Sequence, residues 1–316
     1  MNHNLVLSGG LGNQMFQYIA ARELLGDKFT INSGYLSTSL GTQGFPEICD
    51  LNLIDTIKID VSKKPYAQRK IMNLILKLSS VWVAGNWQQK IVIFTRPLLF
   101  KILNLIFFRK YHLITGKGIG WSTLDQYKAK PIMLIGNFQS YLWVENSFEK
   151  YKAELKLKIY TKAVLKYKKL SILEKPLIVH VRLGDFLEIP ELNVINREYF
   201  ETAIIKLMHS KVSNKIWLFT NNEDLINSYI PDIDYQKYRI FSSQNLTSAE
   251  TLQVMKLGSG YVLSNSTYGW WAAYLRENGE AKVAIPRNWY LTLPAPYKLI
   301  PDNWIKFDNN LGRVKK

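Results

Sequence analysis

The second half of the chain alternates regularly between short apolar strands and helices, and this alternation restricts the possible folds more than any other feature. A buried strand is predicted from Pro176, because residues 177–181 form an apolar run that only His180 interrupts. Later strands are predicted at 216–220, 239–242, 260–264 and 282–285, and helices at 197–208, 223–229, 249–257 and 268–277. Such alternation is typical of a doubly wound parallel sheet, so we predict an α/β fold.

Polar residues follow three of these strands at the point where each strand ends. They are His180-Val181-Arg182-Leu183-Gly184-Asp185-Phe186, Thr220-Asn221-Asn222-Glu223 and Ser264-Asn265-Ser266-Thr267. Because the carboxyl ends of parallel strands lie on one edge of the sheet, where ligands bind, an arginine with hydroxyls there favours a nucleotide diphosphate. Each cluster also has a purely structural explanation, either an ion pair of Arg182 with Asp185 or an ordinary helix N-cap.

A glycine-rich turn follows the first predicted strand, residues 4–8, and precedes a predicted helix at 15–25. Its sequence is Gly9-Gly10-Leu11-Gly12-Asn13-Gln14. Glycines let the backbone approach a ligand closely, and the N-terminus of the next helix attracts anions. No Lys-Ser/Thr pair follows, which excludes a Walker A loop, and Met15 replaces the third glycine of a dinucleotide fingerprint. The turn therefore either contributes to an anion site or serves only tight packing.

Composition excludes several classes of protein. The 316 residues suffice for one large or two medium domains, and 47% hydrophobic with 21% charged residues excludes a disordered chain. The single cysteine, Cys49, excludes a disulfide framework and fits a reducing compartment. We see no signal peptide, and the apolar segment 91–108 has too many polar breaks to span a membrane. We therefore expect a cytoplasmic protein.

The net charge of +16 is unevenly distributed along the chain. No Asp or Glu occurs from Val61 to Leu124, where lysines and arginines alternate with aliphatic residues at helical spacing. This pattern predicts amphipathic helices on an anionic membrane surface, and it favours lipid over nucleic acid because the cations are not gathered with stacking aromatics. We expect peripheral contact with the inner face of the cytoplasmic membrane and no nucleic-acid partner. The alternative is ordinary core helices with a solvated basic face.

Four blocks of sequence stand out when the whole chain is considered. They are GGLGNQMFQY at 9–18, GNFQS at 136–140, HVRLGDF at 180–186 and SNSTYGWW at 264–271. In this order they resemble the signature of glycosyltransferase family 11, the α-1,2-fucosyltransferases. The resemblance implies a GT-B-like fold of two Rossmann-like halves, which we divide into an acceptor-side domain at 1–165 and a donor domain at 166–316. It also implies GDP-fucose as donor, a galactose-terminated glycan as acceptor, and no metal or other cofactor.

The resemblance assigns roles to individual residues. Arg182 would bind the donor diphosphate, and His180 would support that arginine. The other implied donor ligands lie on two turns: Gly10, Gly12 and Asn13 in the first half, and Ser264, Asn265, Ser266 and Thr267 in the second. Two positions depart from the family pattern. Leu183 replaces a second arginine, which implies one positive charge fewer at this edge, and Asn221-Asn222 replaces an acidic pair, which leaves the donor contacts there open.

The residues agree with the chemistry of an inverting transfer, which needs a stabiliser for the departing diphosphate and ideally a general base. A guanidinium binds two phosphate oxygens at once and keeps its charge, so Arg182 suits the first role without a metal. Candidates for the base are Asp185, Glu188 and Glu191. We favour Asp185, which alternatively only orients Arg182. A rival signal, Asp232-Ile233-Asp234, is either a metal-binding D-x-D triplet or a turn.

We therefore predict inverting, metal-independent transfer of L-fucose from GDP-β-L-fucose to the 2-hydroxyl of a galactose. The basic segment suggests that the acceptor glycan is lipid-linked, as in the biosynthesis of O-antigen, because a polyprenyl-diphosphate carrier is anionic. Two alternatives stay open. The chain would transfer another sugar or form another linkage, or it would be a basic nucleotide- or nucleic-acid-binding protein without catalysis.

Overall fold

A computed structural model describes residues 2–35, 46–80, 111–115, 131–209, 215–230, 237–241 and 246–309, with Leu98, Ile102 and Leu105. In these ranges the strands are β1 His3–Val6, β2 Phe29–Asn32, β3 Lys58–Asp60, β4 His112–Thr115, β5 Ile132–Ile135, β6 Pro176–Val181, β7 Lys215–Thr220, β8 Tyr238–Phe241, β9 Gly260–Leu263, β10 Lys282–Pro286 and β11 Ile305–Phe307. The helices are α1 Leu11–Leu25, α2 Tyr66–Ser80, α3 Leu142–Glu145, α4 Phe148–Glu154, α5 Lys162–Glu174, α6 Asp185–Glu188, α7 Arg197–His209, α8 Ser248–Met255 and α9 Thr267–Tyr274. Single 3-10 turns occur at Glu47–Asp50 and Ile226–Ser228.

The chain divides into two compact units, residues 1–156 with 296–300 and residues 157–295 with 301–316. The division expected from the sequence, after residue 165, lies inside helix α5, which belongs as a whole to the second unit. The short segment 296–300 joins the first unit because the Lys298 carbonyl accepts hydrogen bonds from Tyr141 N (2.8 Å) and Ser140 Oγ (3.2 Å). Local sequence patterns contain no sign of this return.

The first unit contains a five-stranded parallel sheet in the order β3-β2-β1-β5-β4. Helix α1 begins at Leu11, earlier than the predicted Met15. The amides of Asn13 and Gln14 already bond to the Gly10 carbonyl, at 3.0 and 3.1 Å, so the polar residues after the glycine turn form its first turn. Apolar periodicity could not reveal this start, because periodicity detects only turns that carry apolar residues.

The second unit contains a six-stranded parallel sheet in the order β11-β10-β9-β6-β7-β8. The chain runs outward from β6 to β8, returns to the other side of β6 at β9, and continues outward to β11. The sheet is therefore doubly wound, and its direction reverses between β6 and β9. The predicted α/β class, with a Rossmann-like parallel sheet in each half and a doubly wound sheet in the second, is confirmed. The helix predicted at 223–229 is only the 3-10 turn Ile226–Ser228.

Helices α7 and α9 form much of the core of the second unit. Tyr199 of α7 is fully buried and donates a hydrogen bond to the Leu263 carbonyl of β9 at 2.6 Å. In α9 the neighbouring Trp270 and Trp271 are fully buried, and the Trp270 ring stacks on Tyr274 with centroids 4.5 Å apart. The tryptophans of the fourth sequence block are therefore packing residues.

The predicted basic helices of residues 61–124 lie mostly outside the described residues, which include α2 but little beyond it until Tyr111. Their proposed contact with a membrane stays a prediction. In the ranges that the structure describes, no helix combines the length and the apolar character that a bilayer span requires.

Candidate functional site

The reversal of the second sheet brings two of the predicted polar clusters together. The backbone after β9 bonds to β6, since Ser264 N donates to the His180 carbonyl at 2.9 Å. The Ser264 hydroxyl, which is fully buried, accepts a hydrogen bond from Arg182 N at 3.0 Å. Open α/β sheets bind ligands outside such a reversal. The hydroxyl that the resemblance assigned to phosphate thus holds the backbone of Arg182, and its contact with a donor stays a prediction.

His180 lies beneath this edge as a buried, neutral ring. Its Nδ1 is 3.3 Å from the Ser264 hydroxyl, and its ring packs against the Tyr268 ring of α9 with centroids 5.9 Å apart. Burial, with a smaller effect from the charge of Arg182, lowers the pKa of His180 to about 3. The imidazole therefore carries no charge near neutral pH, and its support of Arg182 stays a prediction.

Arg182 presents its guanidinium at the edge of the sheet. Its Nη2 donates to Asp185 Oδ1 at 2.7 Å, and its Cζ lies over the Phe186 ring, 5.4 Å from the centroid. The side chain is 35% exposed, so solvent weakens this ion pair and its main effect is orientation. A guanidinium has five N–H donors, and one hydrogen bond to Asp185 leaves this group well suited to bind an anion.

The loop between Arg182 and Asp185 is fixed by Asn221, at the end of β7. The Asn221 side chain accepts from Leu183 N at 2.8 Å and donates to the Leu183 carbonyl at 3.2 Å. Gly184 has φ of +63°, and a Cβ at this glycine would lie 2.9 Å from Asn221 Nδ2. Position 184 therefore requires glycine both for its backbone angle and for this close approach.

Leu183, where the family pattern has a second arginine, does not present its side chain at the edge of the sheet. Its side chain is fully buried in the core beneath the sheet, where Val194 and Tyr199 belong to the same apolar cluster. In this chain, position 183 faces the protein interior, so only its backbone contributes to the edge. Asn222, the other departure from the family pattern, accepts a hydrogen bond from Leu225 N at 3.2 Å and shapes the next turn.

We expect Asn221→Ala to lower the free energy of unfolding by about 1–2 kcal/mol, because Leu183 N loses its partner and the Leu183 carbonyl is left with the longer hydrogen bond from Phe186 N, at 3.4 Å. The KM for the donor should rise as well, since this loop carries Arg182. Denaturant titration and initial rates measure the two effects. The matched control is Asn222→Ala. It removes a single hydrogen bond, from Leu225 N, which is more exposed to solvent than the bonds of Asn221. Equal behaviour of the two variants would contradict the role given to Asn221.

The rest of the fourth block has mainly structural contacts. Asn265 is buried, and its Nδ2 donates to the carbonyls of Leu192 (3.0 Å) and Trp289 (2.9 Å). Ser266 caps α9, since its hydroxyl accepts from Tyr268 N at 3.4 Å. Thr267, half-buried, is the first residue of that helix. Phosphate binding by these three residues stays a prediction.

The three candidate bases differ in their surroundings. Asp185 is the partner of Arg182, whereas Glu188 is exposed at the end of α6. Glu191 accepts hydrogen bonds from Thr292 N (3.0 Å) and the Thr292 hydroxyl, which attaches its loop to the segment after β10. The geometry thus favours orientation of Arg182 by Asp185 and anchoring by Glu191. The Asp232-Ile233-Asp234 triplet lies outside the described residues.

The first unit has a similar edge, where its sheet reverses between β1 and β5. Gly9 has φ of +71°, and a Cβ there would lie 2.5 Å from Asn13 Nδ2. Asn13 Oδ1 accepts a hydrogen bond from Gln139 Nε2 at 2.9 Å, so the first two sequence blocks meet at this edge. Gly10 is exposed just before α1, while Gly12 is buried within the helix. Their contact with a donor stays a prediction.

Sequence reasoning missed Glu47, which occupies the N-terminus of α1. Its Oε2 accepts a hydrogen bond from Leu11 N at 2.8 Å. The helix end that was expected to attract a ligand anion therefore already has a carboxylate of this chain beside it. Glu47 is far from the glycine turn in sequence, so no local pattern identifies it.

Two glutamines of the first block, also missed, hold the glycine turn in place. Gln14 donates to the Gly9 carbonyl at 2.9 Å and accepts from Ile48 N at 3.1 Å. Gln17 accepts from Ser8 N at 2.9 Å and donates to the Ser8 hydroxyl at 2.7 Å. Both side chains are fully buried, and the available signal was that both belong to the first sequence block.

Comparison with known proteins gives one family and several similar chains. The model of glycosyl transferase family 11 matches residues 122–295, more than half of the chain. The O-antigen biosynthesis glycosyltransferase WbnK of Escherichia coli is 24% identical over 95% of this chain and 98% of its own. Among solved structures, the fucosyltransferase NodZ from Bradyrhizobium has a TM-score of 0.44 at 9% identity, covering 87% of this chain and 94% of that one. A family 9 glycosyltransferase from Veillonella parvula has a TM-score of 0.43 at 10% identity, covering 90% and 80%.

Proposed function

This chain belongs to glycosyltransferase family 11, and from that membership we propose that it transfers L-fucose from GDP-β-L-fucose to the 2-hydroxyl of a galactose. That it is a glycosyltransferase follows from the family. The donor, the linkage and the acceptor are the proposed parts. The name of the E. coli relative, an O-antigen biosynthesis glycosyltransferase, supports a surface glycan as the acceptor, which we propose is lipid-linked.

One observation carries the proposal, namely the position of Arg182 at the reversal of the second sheet. Its backbone is held by Ser264 and its guanidinium by Asp185, so the cation is oriented before any ligand binds. Preorganised charge is effective because it needs no rearrangement when negative charge develops. A nucleoside diphosphate, the leaving group of a fucosyl transfer, is the ligand that suits this cation.

In the proposed reaction the galactose 2-hydroxyl attacks C1 of fucose from the side opposite to the diphosphate. The bond from C1 to the phosphate oxygen breaks, GDP leaves with the electron pair, and the configuration at C1 inverts from β to α. Arg182 stabilises the charge that accumulates on the departing phosphate. Asp185 orients the guanidinium. The proton of the attacking 2-hydroxyl passes to a general base, which is not assigned to one residue.

Incubation of the purified protein with GDP-fucose, a panel of β-galactosides and EDTA tests this function. We expect release of GDP and a product with fucose α-linked to O2 of galactose, at a rate that EDTA does not change. Linkage analysis of the product and a GDP-release assay are the measurements.

Three results would contradict parts of the proposal. Turnover with another nucleotide sugar alone would change the donor. Recovery of activity only with added Mn²⁺ would support the metal-binding interpretation of Asp232-Ile233-Asp234. If no nucleotide sugar is consumed but RNA binds with a steep dependence on salt, the chain would be a nucleic-acid-binding protein.

A further inference from the structure

Helix α5, residues Lys162–Glu174, has one face on the sheet of the second unit and another in solvent. On the buried face, Val164 is 2% exposed, and the Tyr167 ring packs edge-on against Trp217 and Phe241, with centroids 5.8 and 4.9 Å apart. These contacts fix the rotation of the helix. The opposite face is therefore held outward by the packing of the core.

The outward face carries three lysines and three leucines, spread along the whole helix. Its members follow the i, i+3, i+4, i+7 spacing of a single helix face: Lys162, Leu165, Lys166, Lys169, Leu170 and Leu173. Leu173 is 75% and Leu165 46% exposed, and the three lysines are also exposed. We call these six residues the α5 face. Lysine side chains next to exposed leucines can bury their aliphatic stems and hold their charges outward, toward an anionic partner.

The carboxylates around α5 have partners away from this face. Glu174 accepts hydrogen bonds from Arg239 at 2.7 Å and from the Trp217 ring nitrogen. Glu277 pairs with Lys168, which is outside the α5 face, at 3.4 Å. Glu250 accepts from Thr247 N at 2.8 Å in the cap of α8, and it also bonds the side chain of Thr161, the N-cap of α5. The α5 face itself contains lysine cations and no carboxylate.

We propose that the α5 face docks on the surface of an anionic lipid bilayer. Lysine ammonium groups would contact lipid phosphates, and the leucines between them would enter the boundary between headgroups and acyl chains. A second copy of this chain fits the α5 face less well than an anionic bilayer does. Two such faces in contact would place lysines against lysines, and their charges would repel. Aliphatic rather than aromatic neighbours disfavour nucleic acid. This inference does not depend on the identity of the donor. It places a contact with the bilayer on helix α5, outside the basic segment 61–124.

Co-sedimentation of the full chain with lipid vesicles tests the docking. The protein should bind phosphatidylcholine vesicles that contain phosphatidylglycerol, bind pure phosphatidylcholine weakly, and dissociate in high salt. The triple variant K162Q/K166Q/K169Q should lose about a hundredfold in partition coefficient. Leu165→Ser with Leu173→Ser should also weaken binding, at unchanged charge.

The matched control is K206Q/K282Q/K306Q, which removes the same charge from exposed lysines elsewhere on the second unit. It should bind almost as the parent does, and thermal melts should show that all variants are folded. The proposal is overturned if the parent does not bind anionic vesicles, or if both triple variants lose binding equally. A different result would assign this face to a second copy of the chain instead. In that case the parent does not bind vesicles but self-associates in solution, and Leu165→Ser with Leu173→Ser abolishes the self-association.

Discussion

Replacement of Arg182 by alanine should lower the kcat of sugar transfer by about a hundredfold to a thousandfold and leave the protein folded. The alanine removes the cation that, in the proposed function, stabilises the departing diphosphate. Folding should be little affected, because the side chain is 35% exposed and its ion pair with Asp185 is solvent-screened. The backbone contact with Ser264 does not depend on the side chain. Initial rates with GDP-fucose and a thermal melt measure the two effects.

Two further variants separate charge from orientation at this site. Arg182→Lys keeps the charge but loses the two-point grip on phosphate, so its rate should fall between those of the parent and Arg182→Ala. Asp185→Asn keeps an oxygen that can accept from the guanidinium, so a role in orientation predicts a modest loss. A general base at Asp185 predicts instead a loss as large as that of Arg182→Ala and a changed acidic limb of the pH profile. Full activity of Arg182→Ala would refute the role of this arginine.

Gly269→Ala should lower the free energy of unfolding by about 2–3 kcal/mol. A Cβ at this position in α9 would lie 2.7 Å from His180 Nδ1 and 3.2 Å from its Cγ. His180 is buried and is held by its place in β6, so it cannot move aside without disturbing the strand. The gain in helix propensity, about 1 kcal/mol for alanine over glycine, is too small to offset this collision. Denaturant unfolding measures the change.

Gly279→Ala is the matched control, because nothing lies within 4 Å of a Cβ at that glycine. Its stability should stay within about 0.5 kcal/mol of the parent. Loss of transfer activity in Gly269→Ala under conditions where it is still folded would show that the packing beneath Arg182 also matters for the site. Equal stability of the two alanine variants would mean that α9 shifts away from β6 at little cost, contrary to the packing described above.

The elements of the second unit could be predicted because each has a local signal. Apolar runs marked β6, β7, β9 and β10, and the helices between them have periodic apolar residues. Strand ends then pointed to Arg182 and Ser264, because the carboxyl ends of parallel strands share one edge. The four sequence blocks added the family. Prediction was less accurate for elements with few apolar residues. One example is the 3-10 turn Ile226–Ser228, where a longer helix was expected.

The direction of side chains near the site could not be predicted. Leu183 lies within a polar cluster of the sequence, but its side chain is buried in the core. The sequence leaves the donor contacts at Asn221 open, and in the structure its amide binds the Leu183 backbone. In loops, side-chain direction depends on individual backbone angles and not on a repeating period, so spacing in sequence gives no guide.

The sequence alone therefore determined the α/β class, the four blocks and the candidate cation Arg182. Tertiary structure decided the strand order that puts Ser264 beside Arg182, the pairing of Gln139 with Asn13, and the carboxylate of Glu47 at the start of α1. The physical reason is that periodicity and turn chemistry act between residues close in sequence. Strand pairing and buried hydrogen bonds join residues that are far apart in sequence, and they form only when the whole sheet assembles.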